Sequence, residues 1–209
     1  MMRDIPGALL TATIWTYWLG VGVMVVRVYK KTRYLGGLVP EQAVERRMWV
    51  VWVPLVAAWL ALPYLALVRS SRWLHTPVVA LTEPAYAGLR WAAALIALVC
   101  LCLTAWCWAR MDTDWSIAII EEQQGEFIAD GLFARVRHPI YALSVVLMIC
   151  STVIVATLPM VAIAVVHIVL MHFKAHNEEQ HMLKMHGEAY AAYLRRTGRF
   201  VPRFGARPA

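Results

Sequence analysis

The sequence predicts an all-α integral membrane protein: about five transmembrane helices, the last two forming a hairpin, followed by a C-terminal amphipathic helix. Three observations predict it. Of 209 residues, 61% are apolar and only 16% charged, whereas soluble domains run near one-quarter charged; the mean hydropathy is +0.58. The apolar residues fall in runs approaching the roughly 20 that a bilayer-crossing helix needs. Ten Trp and eight Tyr supply the rings that favour membrane–water interfaces.

The runs follow in order. The first spans Ala8 to Val28, and the second spans Met48 to Val68 with Pro54 and Pro63 inside it. The third is Leu89 to Trp108. The fourth, Ala142 to Thr157, turns at Leu158-Pro159 into the fifth, Met160 to Phe173. These last two are short and are expected to tilt, to thin the bilayer or to form a tight hairpin. From Lys174 to Arg196 the pattern is a charged amphipathic helix with Met182, Leu183, Ala189, Tyr190, Tyr193 and Leu194 at its apolar positions. Gly198 and Pro202 are expected to end it, and such a helix lies at the interface or folds back over the domain. Residues 1–209 therefore read as a single membrane domain, with three spans in 1–110 and the loop, hairpin and tail in 111–209. The first run is long and lacks a small-residue cleavage site, so no cleavable signal peptide is expected.

Net charge is +7, and its placement sets orientation. Arg27, Lys30, Lys31, Arg33, Arg46 and Arg47 surround the first polar break, and Lys174, Lys184, Arg195, Arg196, Arg199, Arg203 and Arg207 follow the last run. By the positive-inside tendency both regions face the cytoplasm, which puts the N-terminus outside and the C-terminus inside. Such charge attracts anionic lipid. No aromatic-interleaved basic groove points to nucleic acid.

Several chemistries are disfavoured. Cys100, Cys102, Cys107 and Cys150 sit in apolar runs and form no CxxC pair, so they read as packing residues. His172 and His176 have a workable i, i+4 ligand spacing. Outside the stretch holding His167, His181 and His186, only His75 and His138 remain, too few for the several His boxes of a membrane di-iron site; no metal is expected. Gly20-Val21-Gly22 and Gly36-Gly37 follow no strand and open no βαβ unit, which excludes a Rossmann cofactor domain.

Two polar clusters remain, at the two feet of the hairpin. Arg137-His138-Pro139 starts the fourth run and His176-Asn177-Glu178-Glu179 ends the fifth. Pro139 suits a first helical turn, so the first cluster reads either as a basic anchor or as an anion site beside free backbone N–H groups. Lys174 and Glu178 share one helix face at i, i+4, either as a surface ion pair or as partners for a charged ligand. Charged groups at this depth cost stability unless something uses them.

Read together, these residues resemble the isoprenylcysteine carboxyl methyltransferases and related membrane phospholipid methyltransferases. The matching elements are Gly131-Leu132-Phe133, Arg137-His138-Pro139-Ile140-Tyr141, Glu178-Glu179, Gly187-Glu188-Ala189-Tyr190, Tyr193 and Val201-Pro202, with Trp115 upstream. They cover about Arg110 to Phe204. The resemblance implies S-adenosyl-L-methionine as methyl donor, held between the hairpin and the tail helix. Its site would use Gly125, Glu126, Phe127, Ile128, Phe133, Arg137, His138, Pro139, Ile140, Tyr141 and Glu178. Lys174 stands where the family carries an Arg that engages the acceptor's carboxylate, and Lys cannot form that bidentate fork. Leu143 replaces a usual Gly. Lys174 and Glu178 are the expected catalytic pair. The expected partners are a lipophilic or prenylated acceptor and membrane lipid, with no nucleic acid. Alternatives are a phospholipid N-methyltransferase, an NADPH-dependent reductase of the steroid-reductase type, whose pattern Ile140 and Ala142-Leu143-Ser144 fit poorly, and an inactive scaffold.

Overall fold

Proline opens four of the five described helices, at a position where its missing N–H costs nothing. In the computed structural model, which describes residues 4–33, 40, 42–68, 83–112, 115–116 and 127–203, these are α1 (Ile5–Thr32), α3 (Pro84–Met111), α4 (Pro139–Ile154) and α5 (Leu158–Arg196). Between the first two lies α2 (Ala43–Val68), which carries Pro54 and Pro63 in its interior, as membrane helices tolerate. α1, α2, α3 and α5 are long and apolar enough to cross a membrane. α4, at 16 residues, reaches about 24 Å at 1.5 Å per residue, short of a bilayer core of about 30 Å.

The helices close into a ring: α1 packs on α2, α2 on α5, α5 on α4, α4 on α3, and α3 back on α1. Trp59, Leu10, Ile14, Met148 and Met160 are fully buried at its centre, and the Trp59 indole donates to Ser151 Oγ at 3.0 Å. Leu19, Val50 and Val165 point outward. A ring apolar inside and out belongs in lipid.

Polar contacts mark the two ends of the ring. At one end, Arg90 on α3 pairs with Asp4 at the start of α1 at 2.7 Å and donates to the Ile154 carbonyl at the end of α4 at 3.2 Å. At the other, Arg27 and Lys31 at the end of α1 meet Asp112 just past α3, at 2.8 and 2.6 Å. The start of α2 meets α5 at that same end, with the Asn177 amide donating to Gln42 at 3.0 Å. Successive helices thus alternate in direction, and both feet of the hairpin lie at the basic end.

The expected start of the tail helix is corrected. No break occurs at Lys174; α5 runs for 39 residues from the hairpin turn to Arg196. The intervening residues are mostly good helix formers, and no Gly or Pro occurs between Pro159 and Gly187. Gly187 supplies the one interruption, at φ 51° and ψ −124°, a conformation that favours glycine. Beyond the kink Tyr190 and Tyr193 are buried, while Ala189 is exposed. The helix stops at Arg196 with Thr197 as its cap, just before Gly198. The hairpin turn also comes earlier than expected: α4 ends at Ile154 and Leu158 is already helical.

Candidate active site

The loop that precedes α4 is held by the chain that follows α5. Arg137 N–H donates to the Gly198 carbonyl at 2.8 Å, His138 N–H to the Arg199 carbonyl at 3.1 Å, and Gly198 N–H back to the Arg135 carbonyl at 3.1 Å. Gly198 is required by close approach, because a Cβ there would lie 1.7 Å from the Val201 carbonyl oxygen. The backbone N–H groups of Arg137 and His138 are therefore used by the tail and are not open to an anion.

This clamp aims side chains from three segments at one place. The His138 ring lies between two carboxylates of α5: Nδ1 is 3.4 Å from Glu178 and Nε2 is 3.4 Å from Glu179. Tyr141, one turn into α4, stacks flat on His138 with ring centroids 5.4 Å apart and donates its hydroxyl to Glu178. Burial works against charging the imidazole, but the hydrogen-bonding contacts and negative charges of Glu178 and Glu179 outweigh it, so its pKa lies above the usual 6.5. An imidazolium donates from both nitrogens, which suits a ring with a carboxylate on each side.

The two glutamates differ. Glu179 is nearly sealed, with a side chain 5% exposed. It accepts from Arg137 Nε at 2.8 Å and from Arg199. Arg137 Nη1 donates to the Leu194 and Thr197 carbonyls. Its guanidinium is nearly buried, 11% exposed, and braces Glu179. Glu178 stays 24% exposed and lies 3.6 Å from Lys174.

The other anticipated residues fall close by. Pro139 and Ile140 form the first turn of α4, Pro139 buried and Ile140 packed on the core. Phe133 is buried, and its carbonyl accepts from the Tyr193 hydroxyl at 2.6 Å. The Phe127 ring sits among His186, Tyr190 and Tyr193, with Ile128 half-buried beside it in the chain. Gly125 and Glu126 lie outside the described residues. Trp115 is buried in the core.

Sequence reasoning missed two members. Arg199 read as a topological charge, yet it completes the cage around Glu179. Glu45 lay before the expected start of the second span, yet it is fully buried and 3.5 Å from Lys174. A signal for it was present: Glu45, Met48, Trp52, Leu55 and Trp59 recur at three- and four-residue steps, one face of a helix.

No curated protein matches the chain. The sequence model of the isoprenylcysteine carboxyl methyltransferase (ICMT) family matches residues 84–184. That match begins at α3, earlier than the motifs implied, and ends before Tyr190 and Tyr193. It includes Phe133, His138, Tyr141, Lys174, Glu178 and Glu179. Residues 84–184 of this multi-pass membrane protein thus match the isoprenylcysteine carboxyl methyltransferase family, whose members are membrane methyltransferases.

Proposed function

We propose that the chain methylates a lipophilic acceptor, at a carboxylate, with S-adenosyl-L-methionine as donor. The observation that carries this is the convergence of His138, Tyr141 and Glu178 from two elements 37 residues or more apart. The residues fit such a donor. The His138 imidazolium, 3.4 Å from both Glu178 and Glu179, holds the Glu178 carboxylate in place beside the donor. Glu178 is the carboxylate left accessible for its amino group, while Glu179 is occupied. Phe127, Ile128 and Phe133 would flank the donor on the side of the tail.

The donor supplies an electrophilic methyl on a sulfonium cation. An acceptor carboxylate is already ionised at neutral pH and needs alignment and a dry site rather than a base. Lys174 would hold it as a point charge. An amine acceptor would first have to lose a proton. Glu179 is a poor base for that step, since Arg137 and Arg199 stabilise its charged form. This favours carboxyl over amine methylation. Arg27, Lys30, Lys31 and Arg33 gather at the end of the ring that carries the site, which favours a cytoplasmic site and C-terminus and an outside N-terminus.

The test is incubation of the purified protein with a deuterated-methyl donor and a membrane lipid extract, followed by mass spectrometry. The expected product is a lipophilic carboxylic acid that has gained one CD3 in place of hydrogen, absent with Glu178→Ala. Label on an amine would move the reading to phospholipid N-methylation. Absence of label, with protection by NADPH instead of the donor, would replace it with a reductase.

A further inference from the structure

A recess between α2 and α5 has apolar walls, including Met48, Trp52, Leu170 and Met171, and a polar end formed by Glu45 and Lys174. Glu45 belongs to the first turn of α2 and is the most deeply buried acidic side chain among the described residues, at 0% exposure. The Lys174 ammonium stands between two carboxylates, 3.5 Å from Glu45 and 3.6 Å from Glu178. In the function proposed above, Glu178 serves the donor and Lys174 the acceptor; Glu45 has no part.

Its position gives it one. A lysine is a compact charge whose donors divide among several anions. An acceptor carboxylate held by Lys174 would come within a few ångströms of the Glu45 carboxylate, in surroundings that screen charge poorly. We propose that Glu45 is a specificity-determining residue: it competes with an acceptor's carboxylate for the Lys174 ammonium and so lowers the preference of the site for an anionic head over an uncharged head of similar shape. The inference rests on the reading that Lys174 marks the acceptor end. It extends the site to α2, outside the family match.

The experiment compares equilibrium binding of two probes, N-acetyl-S-farnesylcysteine and its methyl ester, to the full-length detergent-solubilised protein. Binding of S-adenosyl-L-methionine is measured on the same samples. Glu45→Gln keeps the shape and removes the charge; it is expected to raise the acid-to-ester affinity ratio by roughly tenfold or more. Glu45→Asp keeps the charge and is expected to hold the ratio near that of the unmodified protein. Lys174→Gln, read independently in case Glu45→Gln does not fold, is expected to lower the ratio at least about tenfold. An unchanged or lower ratio in Glu45→Gln overturns the inference, as does an unchanged ratio in Lys174→Gln. So does failure of both probes to bind while the donor still binds. Loss of donor binding in the unmodified protein would instead overturn the function on which the inference rests.

Discussion

Glu179 is where the site and the stability of the chain meet, and Glu179→Ala tests both. Its carboxylate, 5% exposed, accepts from an Arg137 that is 11% exposed and an Arg199 that is 24% exposed. Removing one member of a buried ion pair costs about 3–5 kcal/mol, because the partner stays buried and uncompensated. Arg137 keeps its carbonyl acceptors Leu194 and Thr197, and water can rehydrate Arg199, so the cost belongs near the lower bound, about 3 kcal/mol. For a chain of this length each kcal/mol moves the melting temperature by about 2–4 °C, giving a fall of roughly 6–12 °C. The assay is a thermal melt of the detergent-solubilised protein at fixed scan rate. Glu188→Ala is the control, since Glu188 pairs with Arg195 where the two side chains are 80% and 65% exposed; exposed pairs contribute little and no resolvable shift is expected. A Glu179→Ala protein that melts within about 2 °C of the parent would refute the claim that this cage clamps the tail to the loop before α4.

Further outcomes follow from the same contacts. Gly198→Ala would place a Cβ 1.7 Å from the Val201 carbonyl and force apart the backbone pairing of 135–138 with 198–199; lower melting and weaker donor binding are expected together, and unaltered donor affinity would contradict the clamp. The folded pKa of His138 lies above 6.5 because Glu178 and Glu179 outweigh its burial, so its stabilising contribution is complete below about pH 6.5 and is lost as pH rises through the folded value. The melting-temperature advantage of the parent over His138→Asn should accordingly shrink as pH rises above about 6.5; an advantage that grows with pH would reverse the assignment. Asp4→Ala strips the partner from Arg90, whose side chain is 4% exposed, at the far end of the ring; a loss of about 3 kcal/mol with unchanged donor affinity is expected, and a change in affinity would mean that the two ends are coupled.

The helices were legible because a lipid-facing ring needs apolar residues on both its inner and outer faces, and composition records that directly. Their ends were less so. α2 begins at Ala43 rather than Met48, because Glu45 is paired inside the protein with Lys174, which a reading of hydrophobicity alone takes for loop. The tail was read as a separate helix because charge begins at Lys174; backbone propensity does not change there, and only Gly187 bends the helix. His138, Tyr141, Glu178 and Glu179 were singled out by their order along the chain, and the fold gathers them. A sequence does not show that Arg137 would pair with Glu179 and two carbonyls of the tail. Arg199 and Glu45 join the cluster through contacts 20 and 129 residues away in sequence, which no local pattern encodes.

The account depends most on His138 and Glu178 forming one donor site. Equilibrium binding of radiolabelled S-adenosyl-L-methionine to the parent protein, His138→Ala and Glu178→Ala, each verified as monodisperse, measures that directly. Saturable binding to the parent and its loss or severe weakening in both variants is the predicted result. Undiminished binding in both variants, or no binding to the folded parent, would contradict it.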